Sequence, residues 1–272
     1  AGWEAQERAS EDAGAGEFRS RLGDPDYWEE LYAGAPPGAA AEDEVFDWLI
    51  DWAAARSYVE GLIGRGADAA VLHLGCGNST FPEEMHDAGY RSQTCVDVAP
   101  SVVAAMSLRN AGRPSMRWIA CDCTDLTGEL EDGLFDLVVD KGTFDAITCH
   151  DSHALMLVKF LKECCRLVRP GGVYLCLSLH GPRDVLRWLC QRPFDWEVKV
   201  TRLGCQRGHD TVGYACTRRA PGAPGSKPLE RHWGALLARV EGRPDSDVDE
   251  DAELLSRVEG TEAAVPARRE RP

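Results

Sequence analysis

The sequence has no apolar run approaching the roughly 18 to 20 residues that a membrane-crossing helix needs, so a membrane partner is not expected. It is poor in positive charge: 30 Lys and Arg stand against 45 Asp and Glu, a formal net charge of −15. Such a surface repels phosphate backbones, which argues against nucleic acid as a partner. It suits a solvated surface or a basic protein partner. None of the 11 cysteines falls in the paired C-x-x-C spacing of a zinc site. Cys121 and Cys123 form C-x-C, Cys164 and Cys165 are adjacent, and Cys95, Cys176, Cys190 and Cys216 lie in apolar stretches. There a free thiol behaves as a small hydrophobe. The expectation is a reducing compartment, no disulfide framework and no metal. Residues 1–20 carry Glu4, Glu7, Glu11, Asp12 and Glu17, unlike a secretory signal or an Arg-rich leader. A cytoplasmic location is expected, or a mitochondrial one if a leader precedes Ala1. No internal repeat is present.

What is there is an alternation of strand and helix patterns. Ala69–Leu74 is a short apolar run ending at Gly75, and reads as a buried strand. Thr80–Ala88 reads as a helix, with Pro82 and Glu83 in its first turn and Gly89 after it. Gln93–Val98 is a second strand. A helix capped by Ser101 and ended by Gly112 follows, then strands at Met116–Ala120 and Phe135–Asp140. Leu155, Val158, Leu161, Cys165 and Val168 recur at helical spacing, with Pro170-Gly171-Gly172 as the stop. Val173–Leu179 is a fifth strand and Arg183–Cys190 a short helix. Trp196–Leu203 and Thr211–Thr217 read as a hairpin. The pattern predicts an α/β fold, a Rossmann-like seven-stranded, mostly parallel sheet with a terminal antiparallel hairpin and one antiparallel strand at the end. Residues 21–219 form the expected domain. Residues 1–20 are expected to be disordered, and 220–272 to be a Pro/Gly linker with a largely disordered acidic tail, apart from a short helix over Leu229–Val240.

Ligands of open α/β sheets sit at the carboxyl ends of the strands. The first strand ends in Gly75-Cys76-Gly77-Asn78-Ser79, where glycines let backbone approach a ligand. The second ends at Asp97, about 20 residues beyond Gly77, where an acid accepts both hydroxyls of an adenosine ribose. Asp122, next to Cys123, follows the third strand and Asp140 ends the fourth. A nicotinamide dinucleotide site would need a third glycine at position 80, which is Thr80.

Four segments give the chain a resemblance to the class I S-adenosylmethionine-dependent methyltransferases, and among them to the elongation-factor lysine methyltransferase and citrate synthase lysine methyltransferase group. They are Asp26-Tyr27-Trp28-Glu29-Glu30-Leu31-Tyr32, Phe46-Asp47-Trp48, Leu74-Gly75-Cys76-Gly77-Asn78-Ser79 and Asp140-Lys141-Gly142-Thr143-Phe144-Asp145-Ala146. The likeness runs from about Asp26 to Arg218. It implies S-adenosylmethionine as cofactor, with Gly75 against its methionine part and Gly77 in the same turn. Asp97 would hold the ribose, Val98 flank the adenine, and Asp122 with the Cys123 backbone receive the adenine amine. Asp140 would lie by the sulfonium and methionine amine. Trp28, Tyr32 and Trp48 would close over the cofactor, where aromatic faces attract a sulfonium by about 0.5–2 kcal/mol. One departure from the pattern is His73, where many relatives carry an acid; it reads as a satisfied core histidine or a pH-sensitive neighbour of the site.

Methyl transfer needs alignment and a neutral nucleophile, and a lysine amine has an ordinary pKa of about 10.4. Asp140 and Asp145 are the candidate catalytic residues, orienting the amine or taking its proton. The implied substrate is a protein lysine, on a translation elongation factor or a metabolic enzyme. A small-molecule methyltransferase and a non-catalytic module on the same fold are the alternatives.

Overall fold

The computed structural model describes residues 21–34 and 47–223, except 67, 151, 192 and 207. The expectations for residues 1–20, for Phe46, and for the linker, helix and acidic run beyond residue 223 lie outside the described residues.

Helix α1 (Pro25–Ala33) opens the described chain, followed by α2 (Trp52–Ile63), β1 (Ala70–Leu74), α3 (Phe81–Asp87), β2 (Ser92–Asp97), α4 (Pro100–Arg109), β3 (Met116–Ala120) and β4 (Phe135–Lys141). Then come α5 (Thr143–Ile147), α6 (His153–Leu167), β5 (Val168–Ser178), α7 (Pro182–Leu189), β6 (Trp196–Gln206) and β7 (His209–Arg218). The seven strands form one sheet in the order β3-β2-β1-β4-β5-β7-β6. β1 to β5 are parallel, and β7 is antiparallel to both β5 and β6.

The expected seven strands and mixed sheet are all present. The antiparallel strand is not at the end, however. β6 takes the edge, and β7 turns back at Gly208 into the slot between β6 and β5.

The strands' side chains alternate between two cores, as their period of two requires. Leu72, Leu74, Val138, Tyr174 and Cys176 face α5, α6 and α7, where Phe144, Leu157, Leu161, Val185 and Trp188 complete one cluster. Val71, Leu137, Val139, Val173 and Leu175 face α2 and α3, meeting Trp52, Ala55, Val59, Phe81 and Met85.

Helix α2 is an element the sequence reading left unassigned. Its signal is nevertheless in the chain: Asp51 accepts from Ala54 N at 2.9 Å as the cap, and Trp52, Ala55 and Val59 fall on one buried face. Two further corrections concern helix ends. Ser101 does not cap α4; it lies inside the first turn, after Ala99 and Pro100, and its backbone N–H and hydroxyl both donate to Glu29 of α1. Pro170-Gly171-Gly172 does not stop α6. That helix ends at Leu167, and the three residues bulge within β5, where Phe135 pairs with Val168 and Leu137 with Val173. Gly172 is required there, because a Cβ would come within 2.9 Å of the Phe135 carbonyl oxygen.

Candidate active site

β1 ends beside β2, with Leu74 opposite Val96. The chain then turns through Gly75 (φ 60°) and Gly77 (φ 52°), a region open to glycine at no steric cost. Both glycines are also fixed by what lies above them. A Cβ on Gly75 would stand 2.0 Å from Thr143 Oγ1, and one on Gly77 would stand 2.7 Å from the Tyr32 hydroxyl. Asp97 is buried at the end of β2, accepting from Gly77 N at 2.8 Å and from Ala99 N at 3.0 Å, one bond to each oxygen. Burial raises its pKa, against the opposing pull of those amides. Each carboxylate oxygen keeps acceptor capacity for a hydroxyl.

The second, third and fourth of the resembling segments meet at one buried ion pair. Lys141 Nζ lies 3.1 Å from Asp47 Oδ1, both side chains almost wholly covered. Asp47 also accepts from the Ser79 hydroxyl and, at 3.0 Å, from Thr80 Oγ1 of the glycine loop. Lys141 Nζ donates besides to the Trp48 carbonyl at 3.1 Å. That same carbonyl receives Ile50 N at 2.8 Å, closing a γ-turn around Leu49, whose φ is 69°. A non-glycine residue held there stores on the order of 1–3 kcal/mol of strain. The ion pair and the turn together set the position of Trp48.

The lid is built by α1. Trp28 donates to the Leu22 carbonyl at 2.8 Å, stacks on Tyr32 at 6.2 Å between centroids and meets Trp48 edge-on at 6.5 Å. Tyr32 takes a backbone hydrogen bond from Asn78, and burial raises its pKa well above the ordinary value.

These elements enclose a cavity of about 980 Å³, within the range of small-molecule sites. Trp28, Tyr32, Trp48, Gly75, Gly77, Asp97, Val98, Cys123 and Asp145 all line it. Asp122 and Asp140 do not. Asp122 is exposed just outside, accepting from Thr124 N at 2.8 Å. Asp140 is fully buried beneath α5, where its Oδ1 accepts from Thr143 N at 2.8 Å and Phe144 N at 3.1 Å, and its Oδ2 from the Tyr174 hydroxyl at 2.9 Å. Burial, reinforced by the nearby Asp145 charge, pushes its pKa up to about 7 against those hydrogen bonds. It caps α5 and so holds Thr143 over Gly75. Thr143 itself donates to the Leu74 carbonyl at 2.8 Å.

His73 is a satisfied core histidine. Its Nε2 lies 2.7 Å from Gln93 Oε1 and its ring meets Phe81 edge-on, while burial lowers its pKa to about 4.

Asp145 does not cap α6, whose N-cap is Ser152. Its carboxylate accepts from the Ser178 hydroxyl and, at 2.9 Å, from Leu179 N, tying α5 to the end of β5. Beyond it the cavity continues along Thr148, His180, Asp184 and Trp188. Sequence reasoning missed this end, and it missed Asp47, Lys141 and Thr143 as the framework of the glycine turn. For the framework a signal existed: those residues sit inside the very segments that carried the resemblance.

The residues suit S-adenosylmethionine. A buried acid stands where a ribose would be held, beside a backbone turn that side chains would block and under an aromatic lid.

A methyltransferase-domain family model matches residues 72–176. EEF1A lysine methyltransferase 4 of Mus musculus is 33% identical over 183 residues, covering 64% of this chain and 68% of the relative. The Bos taurus protein of that name is 31% identical, covering 65% and 69%. The eEF1A lysine and N-terminal methyltransferase of Danio rerio is 35% identical over 187 residues, but the match spans only 26% of that longer protein. Among solved structures, a Haemonchus contortus phosphoethanolamine N-methyltransferase superposes with a TM-score of 0.54 at 12% identity, covering 82% of this chain and 53% of that one. A protein from work on thioacetal formation in echinomycin biosynthesis gives 0.51 at 18% identity, covering 80% and 99%. These two likenesses concern the fold. The relatives settle the family: the chain belongs to the EEF1A lysine methyltransferases and is an S-adenosylmethionine-dependent methyltransferase.

Proposed function

We propose that the protein methylates a lysine side chain of a protein substrate, and that elongation factor 1A, named in the relatives, is the first substrate to test. The observation that carries this reading is the cavity's two-ended form. One end has the Gly75–Gly77 turn, Asp97, Val98 and the aromatic lid. The other has Trp188 with Asp145 and Asp184, two acids against the one Arg187, an aromatic and acidic lining that suits a slim cationic chain.

S-adenosylmethionine supplies an activated methyl group, so the protein's task is binding, alignment and management of the amine's proton. Asp97 receives the ribose hydroxyls, and Gly75 and Gly77 present backbone to the methionine part. Val98 and the Cys123 backbone flank the adenine, and the exposed Asp122 stands ready to receive its amine from the rim. Asp140 acts from beneath, as a positioning residue that holds α5 and Thr143 over the turn. Trp28, Tyr32 and Trp48 exclude water from above.

The test is transfer of labelled methyl to purified elongation factor 1A and to lysate proteins, with and without prior chemical blocking of lysines. Label on protein that disappears on blocking supports the reading. Undiminished protein label rejects lysine as the acceptor, and label confined to metabolites promotes a small-molecule substrate.

A further inference from the structure

His180 lies at the far end of the cavity, just past β5, and takes no part in the roles assigned above. Its backbone is held on both sides. The His180 N–H donates to Ser178 Oγ at 3.0 Å, and its carbonyl accepts from the Tyr214 hydroxyl at 2.7 Å. Ser178 in turn donates to the Asp145 carboxylate. The side chain is 44% exposed, and His180 lines the cavity.

The tautomer follows from its neighbours. Ring Nε2 lies 3.4 Å from Thr148 Oγ1 and 4.0 Å from Asp145 Oδ1. The Thr148 hydroxyl donates its one proton to the Asp145 carbonyl at 2.6 Å, so toward the imidazole it can only accept. Both neighbours of Nε2 are acceptors; Nε2 therefore carries the hydrogen, and Nδ1 keeps the lone pair. Asp145 is itself fixed by one hydrogen bond on each oxygen, from the Ser178 hydroxyl and from Leu179 N. A buried acid facing the imidazole from behind stabilises the imidazolium once formed.

We propose that His180, oriented by Thr148 and Asp145, takes the proton from the substrate amine. A lysine ammonium entering this end loses an N–H bond whose electron pair stays on the amine nitrogen. A new N–H bond forms at His180 Nδ1, and the imidazolium later yields that proton to water. Without such an acceptor, on the order of one lysine in a thousand is neutral near pH 7. Thr148 and Asp145 are positioning residues. The titratable groups around His180 are Asp145 of α5, Tyr214 of β7 and, lining the same end, Cys149, His153, Asp184 and Arg187. The inference rests on the lysine reading above.

The test compares the full chain with His180→Asn and His180→Ala, on elongation factor 1A and on lysate proteins, across pH 6 to 10 at saturating cofactor. In the variants kcat should fall about 10²- to 10⁴-fold at neutral pH while cofactor Kd is unchanged. Their residual rate should climb about tenfold per pH unit toward the lysine's own pKa, a steeper dependence on pH than the wild type shows. Added imidazole should restore part of the His180→Ala rate. An unchanged kcat, or a uniform drop with the wild-type pH profile and no response to imidazole, overturns the assignment. If the wild type itself methylates no lysine, the lysine reading fails and this inference falls with it.

Discussion

Asp97 and Asp140 both end a central strand, and the sequence assigned both to the cofactor. The structure separates them by direction. Asp97 faces the cavity with one amide on each oxygen, and Asp140 points under α5 and is saturated by Thr143, Phe144 and Tyr174. A strand-end acid is legible in a sequence; which way its side chain leaves the strand depends on the loop that follows. Asp97→Ala should therefore weaken S-adenosylmethionine binding by about 1.5–3 kcal/mol, or ten- to a hundredfold in Kd. Calorimetry showing the wild-type affinity would remove Asp97 from the ribose. Asp140 predicts a pH effect instead. Its folded pKa, raised to about 7, exceeds the ordinary carboxyl value. Its contribution to stability is thus fully present below about pH 4 and is lost as pH rises through about 7, at up to about 1.4 kcal/mol per unit. Asp140→Asn keeps the shape without the charge and should gain on the wild type between pH 5 and pH 8 in denaturant unfolding of the cofactor-free protein. A gap between the two proteins that does not change with pH would contradict the shift.

Elements repeat the same lesson. β1 to β4, α3 and α6 carry strong periodic patterns, and each lies within a few residues of its expected place. Helix α2 is faint in the sequence because three of its first four residues are alanines, which mark an apolar stripe weakly, and Pro170-Gly171-Gly172 resembles a stop because a bulge and a helix end use the same residues. The joint between α1 and α4 was not legible at all, being a contact across about 70 residues of chain. Helix α4 starts without a side-chain cap of its own, and Glu29 supplies one from α1 by accepting from Ser101 N at 3.1 Å and from the Ser101 hydroxyl. A negative charge at a helix start is favourable, and loss of a cap costs about 0.5–2 kcal/mol. Since α1 also carries Trp28 and Tyr32, Glu29→Gln should loosen the lid. The expected result is a severalfold weaker cofactor affinity with a smaller change in thermal unfolding of the sheet. A loss of stability with affinity intact would mean that Glu29 supports α4 alone.

At the scale of the whole molecule, the last strand among the described residues is an interior one. β6 is hydrogen-bonded to β7 and not to β5, and β7 joins it to the parallel sheet through the pairs from Val173–Thr217 to Ser178–Val212. β5 carries Ser178 and leads into His180, and β7 supplies the Tyr214 hydroxyl that fixes the His180 carbonyl. The acceptor end of the cavity is therefore completed only when residues 209–218 have been inserted. An isolated edge on β5 would also expose unpaired backbone, a template for aggregation. A chain ending after Gln206 should fail to give a soluble, cofactor-binding protein. A chain ending after residue 223 has every strand of the sheet and should bind S-adenosylmethionine as the full chain does, in line with the domain boundary near residue 219 expected from composition. Thermal unfolding with and without cofactor checks both. If the longer truncation loses its cofactor-induced rise in Tm, residues beyond 223 contribute to the domain and the boundary is misplaced. If the shorter one retains it, β7 is not the joint that its position in the sheet implies.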